Sequence, residues 1–167
     1  MPVRKQRVSP CLWFDHQAEK AAKYYVGIFR NSKLLKIGRY GEAGKEHHRR
    51  PSGSVMIVEF QLDGQRYSAL NGGPLFKFNE AISLQVWCKD QNEVDYYWDR
   101  LSAGGDPKAQ VCGWLKDKYG LSWQIVPDIV PKLLGDHRSV KSQRAMTAMM
   151  QMTKPDIAAM KRAYAGK

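Results

Sequence analysis

One order of elements runs twice along residues 8–127: a strand, a helix, then further strands. The repeat is one of order more than of sequence, with Asp15 and Asp90 at matching places 75 residues apart. Val8 to Phe14 is an apolar run read as the first strand, and Asp15 is predicted as the N-cap of the helix that follows. Ala18, Ala21, Ala22, Tyr25, Ile28 and Phe29 recur at helical spacing until Asn31-Ser32. Leu34 to Tyr40 is strand-like, and residues 41–53 (GEAGKEHHRRPSG) form a polar loop. Val55 to Leu62 alternates apolar and polar residues, Asp63-Gly64 is a two-residue hairpin signal, and Gln65 to Asn71 returns.

The second pass opens with a strand from Ile82 to Cys88. Asp90 with Glu93 resembles a capping box, and Val94, Tyr97, Trp98 and Leu101 give a helix that stops at Gly104-Gly105. Gln110 to Leu115, a turn at Asp117-Lys118-Tyr119-Gly120, and Leu121 to Val126 complete it. After Pro127 the strands stop. Ile129 to Leu134 and Val140 to Met152 read as helices, and Thr153 to Asp156 as the cap of a last one. Met146, Met149, Met150, Met152 and Met160 concentrate there, as residues that fill a core or subunit contact or offer an adaptable surface. The expected layout is therefore a domain over residues 1–127, with modules at about 8–74 and 81–127, and a helical extension over 128–167.

The chain has 167 residues, the size of an ordinary domain. No apolar run approaches the roughly 18 residues of a membrane span, and the basic N-terminus lacks the apolar stretch of a secretory signal. Cys11, Cys88 and Cys112 are too scattered for a disulfide framework and read as reduced thiols of a cytoplasmic protein. The formal charge is +11, placed mostly at the two ends while the centre is slightly acidic. The aromatics sit at core-like spacings rather than among the basic residues, so the charge reads as solubility and nucleic acid is not expected as a partner.

The usual catalytic signatures are missing. Gly72-Gly73 and Gly104-Gly105 fit no phosphate-binding pattern and read as turns. His47-His48 are adjacent, and no HExxH or CxxC occurs. Cys112, ahead of Gly113-Trp114 and near Lys116 and Lys118, is the thiol in the most unusual setting, as a reactive group or as a small buried hydrophobe. Gln85 and Gln124 stand between apolar neighbours in buried-looking strands. A buried amide needs hydrogen-bond partners, so each either links core elements or faces a pocket. Trp13, Trp87, Trp114 and Trp123 are spread over the same strands, as core filling or as pocket walls.

The stretches Ser68 to Pro74, Phe76 to Ser83, Asp90 to Trp98 and Cys112 to Pro127 (CGWLKDKYGLSWQIVP) resemble the PhnB-like family. That family carries the label 3-demethylubiquinone-9 3-methyltransferase and belongs to the vicinal oxygen chelate superfamily, with glyoxalase, bleomycin-resistance and dioxygenase relatives. The resemblance covers nearly the whole chain. It implies an α+β fold of two βαβββ modules, each a curved sheet around a cavity, usually completed in a homodimer. It also implies where a divalent metal would sit: the ligand positions of the superfamily's enzymes fall on Cys11, Ala69, Ala81 and Gln124. Two alanines and an amide are not the ligands such an ion needs.

The resemblance and the residues together give an expectation of a small organic ligand bound without metal or cofactor. Trp13, Asn71, Gln85, Trp87 and Gln124 are expected to face the cavity, with Cys112, Trp114 and Lys118 as further contacts. Whether the chain is an enzyme stays open. The alternative is an enzyme of the same superfamily, either a metal-dependent lyase, isomerase or dioxygenase, or the methyltransferase of the label.

Overall fold

Each of the two passes folds as a sheet with one helix across it. The structure, a computed structural model, describes residues 6–167. It divides into two compact units, one ending at Lys77 and the other spanning Phe78–Lys167.

The first unit holds β1 (Cys11–Phe14), α1 (Ala18–Ile28), β2 (Lys33–Arg39), the short α2 (Lys45–His48), β3 (Val55–Leu62) and β4 (Gln65–Asn71). The sheet order is β1-β4-β3-β2, with β1 parallel to β4 and the rest antiparallel. Period-2 alternation sends Leu12, Phe14, Val58, Phe60, Leu62 and Ala69 to the side covered by α1. The buried face of α1 is mostly small, with Ala18, Ala21 and Ala22 fully covered, so the helix lies close to the strands. Tyr25 stacks on Phe60 at 6.4 Å, and Phe60 on its cross-strand neighbour Tyr67 at 5.6 Å. Tyr25 and Phe60 are fully buried, and each contributes about 2–3 kcal/mol. The Asp63-Gly64 turn has both residues left-handed, as the hairpin signal requires.

Two local expectations change here. Asp15 does not cap α1. The cap position is Gln17, whose side chain makes no cap bond; Asp15 instead accepts from Arg50 at 3.1 Å, and Asn71 supplies the helix cap from β4. Residues 41–53 are not all loop, since Lys45–His48 make one helical turn between left-handed Gly44 and Arg49.

The second unit holds β5 (Leu84–Cys88), α3 (Gln91–Ser102), a single 3-10 turn at Pro107–Ala109, β6 (Trp114–Lys116), β7 (Ser122–Pro127), α4 (Val130–Leu134), α5 (Val140–Met150) and α6 (Ile157–Ala165). Its sheet order is β5-β7-β6, again with the first strand parallel to the last. Asp90 caps α3 by accepting from Glu93 N at 3.0 Å, while Glu93 accepts from Lys89 N at 3.0 Å. Val86, Cys88, Leu115, Trp123 and Ile125 meet Val94, Trp98 and Leu101 in the core. The strand expected over Gln110–Leu115 shrinks to Trp114–Lys116 and an isolated bridge at Val111. Left-handed Cys112 and Gly113 turn the backbone there and stop the extended run. The three C-terminal helices close around Leu133, Ala145 and Met160, with Met149 and Met152 packed against them.

Candidate ligand-binding site

In the second sheet, β5 buries Val86 and Cys88 under α3 and leaves Gln85 and Trp87 on the other side. The register sets Gln85 beside Gln124, and Gln124 beside Trp114, so these three form a row across all three strands. Gln85 Nε2 donates to Gln124 Oε1 at 3.4 Å, and Gln124 Nε2 donates to Ser83 Oγ at 2.7 Å. The central amide is thus engaged at both ends.

The row lines a cavity of about 510 Å³, together with Trp87, Val111 and Cys112. Met149, Met150 and Pro155, at the end of α5 and in the turn after it, line it as well. None of the residues around it is charged. Its size falls in the range of small-molecule sites, and mostly apolar walls with two placed amides are what such sites are made of.

Cys112 is half-buried and left-handed (φ 50°). Its N–H donates to Met152 O at 2.8 Å, its Sγ donates to Met149 O at 3.3 Å, and Sγ lies 3.7 Å from Met150 Sδ. A neighbouring cavity of about 370 Å³ shares Trp114 and Val111 and is lined also by Glu80, Lys116 and Ser122. Lys116 pairs with Glu80 and holds that carboxyl below its usual range. Ser122 is 1% exposed, and its Oγ has no partner among the described residues.

The other expected site residues have different surroundings. Trp13 belongs to the first unit, where its Nε1 donates to Gly73 O at 2.8 Å and its ring meets Phe76 edge-on at 4.9 Å. That ring lies so close to Gly72 that a Cβ there would sit 2.2 Å away. Asn71 does not share the face of Trp13, contrary to the expectation. Its cross-strand neighbour is Phe14, and both point to the α1 side, where Asn71 is 7% exposed. Lys118 is exposed in the β6–β7 turn, its ammonium 5.4 Å from the Tyr119 ring, and does not line the cavity.

Of the four positions compared with metal ligands, Cys11 and Ala69 belong to the first unit and Ala81 and Gln124 to the second. Cys11 and Ala69 lie on opposite faces of the first sheet, since the cross-strand neighbour of Cys11 is Ser68. Ala81 is exposed and precedes β5. Gln124 is a neutral amide already bonded to Ser83 and Gln85. A divalent cation needs charged or strongly donating ligands to replace its water, and this donor set does not fit one. Among the described residues, no group of three or more His, Cys, Asp or Glu side chains is placed to hold a metal ion. No described helix is long and apolar enough to cross a membrane.

Sequence reading missed Ser83, although its period-2 spacing to Gln85 and Trp87 put it on the same face. It also missed the contribution of Met149, Met150 and Pro155, because pairing across the sheet edge leaves no local pattern.

The comparisons agree with the resemblance. Residues 6–126 match the profile of the family described as 3-demethylubiquinone-9 3-methyltransferase. Among solved structures, the chain is similar to the putative 3-demethylubiquinone-9 3-methyltransferase, PhnB protein, from Bacillus cereus, at 32% identity and TM-score 0.62 over 73% of this chain and 99% of that one. It is similar also to protein PA1353 from Pseudomonas aeruginosa, at 16% identity and TM-score 0.55 over 74% of this chain and 100% of that one. No curated protein matches the chain.

Proposed function

The chain belongs to the family described as 3-demethylubiquinone-9 3-methyltransferase, and on that premise we propose that it binds a small organic molecule, without metal, in the cavity of its second unit. The in-register row Gln85, Gln124, Trp114 inside a cavity of about 510 Å³ carries this reading. Trp87 and Trp114 offer ring faces, and the amides orient a polar edge. Cys112 is a wall of the site. Trp13, Asn71 and Lys118 have other roles in the fold and are left out of it.

Methyl transfer, which the family's description carries, has no glycine-rich donor loop behind it in this sequence. The reading includes a cytoplasmic homodimer. The described cysteines are free, and Trp87 (51% exposed) and Val111 (53% exposed) present apolar surface for a second copy to cover. Sedimentation at two concentrations checks that part.

The ligand is sought by thermal shift against a metabolite library, and each hit is titrated into wild type, Gln124→Leu and Trp87→Ala. Both variants are expected to fold and to bind at least about tenfold more weakly. Full affinity in both variants contradicts the site.

A further inference from the structure

The cavity is walled partly by residues that lie beyond position 126, outside the family match. That wall is fixed from two sides. Cys112 and Gly113, both left-handed, donate their N–H groups to Met152 O at 2.8 Å and Thr153 O at 2.9 Å. A side chain at residue 113 would put its Cβ 2.7 Å from Ile125 O, so only glycine allows this approach. On the α3 side, Gln91 donates to Pro155 O and accepts from Ile157 N, both at 3.0 Å, and Lys154 pairs with Asp95 at 2.8 Å. The turn after α5 is therefore held in place, with Met149 and Met150 in the cavity lining.

Resting on the ligand-binding reading above, we infer that this C-terminal wall selects the ligand, and that the ligand is a neutral, flat, largely aromatic molecule with a hydrogen-bond donor on one edge. An ion entering the cavity would lose water and meet no charged side chain in return. The rings of Trp87 and Trp114 accept a flat molecule, and thioethers make favourable contacts with aromatic groups. Gln85 Oε1, which accepts no hydrogen bond among the described residues, takes the donor.

The test uses two fluorescent probes with the same kind of ring system. N-phenyl-naphthylamine is neutral and carries an N–H; anilinonaphthalene sulfonate adds a charge. Wild type is expected to bind the neutral probe saturably at one site, and the sulfonate at least about tenfold more weakly. Met150 is 61% exposed, so Met150→Glu is expected to keep the melting temperature while weakening the neutral probe about tenfold. Met150→Ser replaces it if the charged variant fails to fold. Equal binding of the two probes overturns the inference. So does unchanged binding in the Met150 variant while Gln124→Leu weakens it, and in both cases the ligand-binding reading stands. Wild type that binds neither probe overturns the inference. If the library hits also bind Gln124→Leu and Trp87→Ala with full affinity, the reading falls with it.

Discussion

Asn71 Oδ1 accepts a hydrogen bond from the backbone N–H of Ala18 at 2.8 Å, so the first helix is capped by a strand residue 53 positions away. The same side chain donates to Val55 O at 3.0 Å, and the backbone O of Asn71 accepts from Tyr40 Oη at 2.6 Å. One buried amide thus joins α1, β3 and β4. Asn71→Leu leaves a helix N–H and a strand carbonyl unpaired in the interior, and is expected to cost about 2–4 kcal/mol. Asn71→Asp keeps the acceptor and is expected to cost less. Urea unfolding measures both, and a Leu variant as stable as wild type contradicts the role.

The long β3–β4 hairpin, α1 and α3 were legible because hydrophobic period and turn chemistry are local. Gln65 to Asn71 and Asp63-Gly64 needed nothing from elsewhere in the chain. Asp15 failed as a cap because Asn71 reaches the same helix end through space, which no local pattern encodes. Asp117 was legible as a turn residue but not as a buried centre. Its carboxylate accepts from Tyr119 N and Leu121 N within the turn, and from Trp123 Nε1 at 2.9 Å, a bond that needs the β7 side chain in place. Gln85 and Gln124 stood out as amides among apolar neighbours, whereas nothing singled out Met149 and Met150 from the other C-terminal methionines, read as core, subunit-contact or adaptable-surface residues.

The three thiols differ in setting. Cys88 is fully buried, and burial, reinforced by Glu93, Asp128 and Asp90, pushes its thiol up to about 12. Its thiolate is therefore absent at neutral and mildly alkaline pH, and only the thiolate is a good nucleophile. Iodoacetamide is expected to label exposed Cys11 first and to leave Cys88 untouched until the protein unfolds. Peptide mass spectrometry over time checks the order; labelling of native Cys88 at the rate of Cys11 contradicts it.

The pair that fixes the C-terminal wall should show in a pH profile. The hydrogen bond from Lys154, and then that from Gln91, hold the Asp95 carboxyl below its ordinary 3.8. Its contribution is present above 3.8 and is lost as pH falls through the lower folded value. Lys154 is raised above its ordinary 10.5 by Asp95, so its contribution is present below 10.5 and is lost as pH rises through the higher folded value. The stability difference between wild type and Lys154→Gln is expected to be flat at neutral pH, under about 1 kcal/mol for so exposed a pair, and to shrink at both extremes. Denaturant titrations across pH measure it, and a difference that grows in acid contradicts the pairing.

The side-chain amide signals of glutamine give the most direct test of the binding site. In a nitrogen-15-labelled sample titrated with N-phenyl-naphthylamine, the Gln85 and Gln124 amides are expected to shift together and saturate, while Gln61 in the first unit stays still. Saturable binding that leaves both Gln85 and Gln124 unmoved would place the ligand elsewhere and contradict the account.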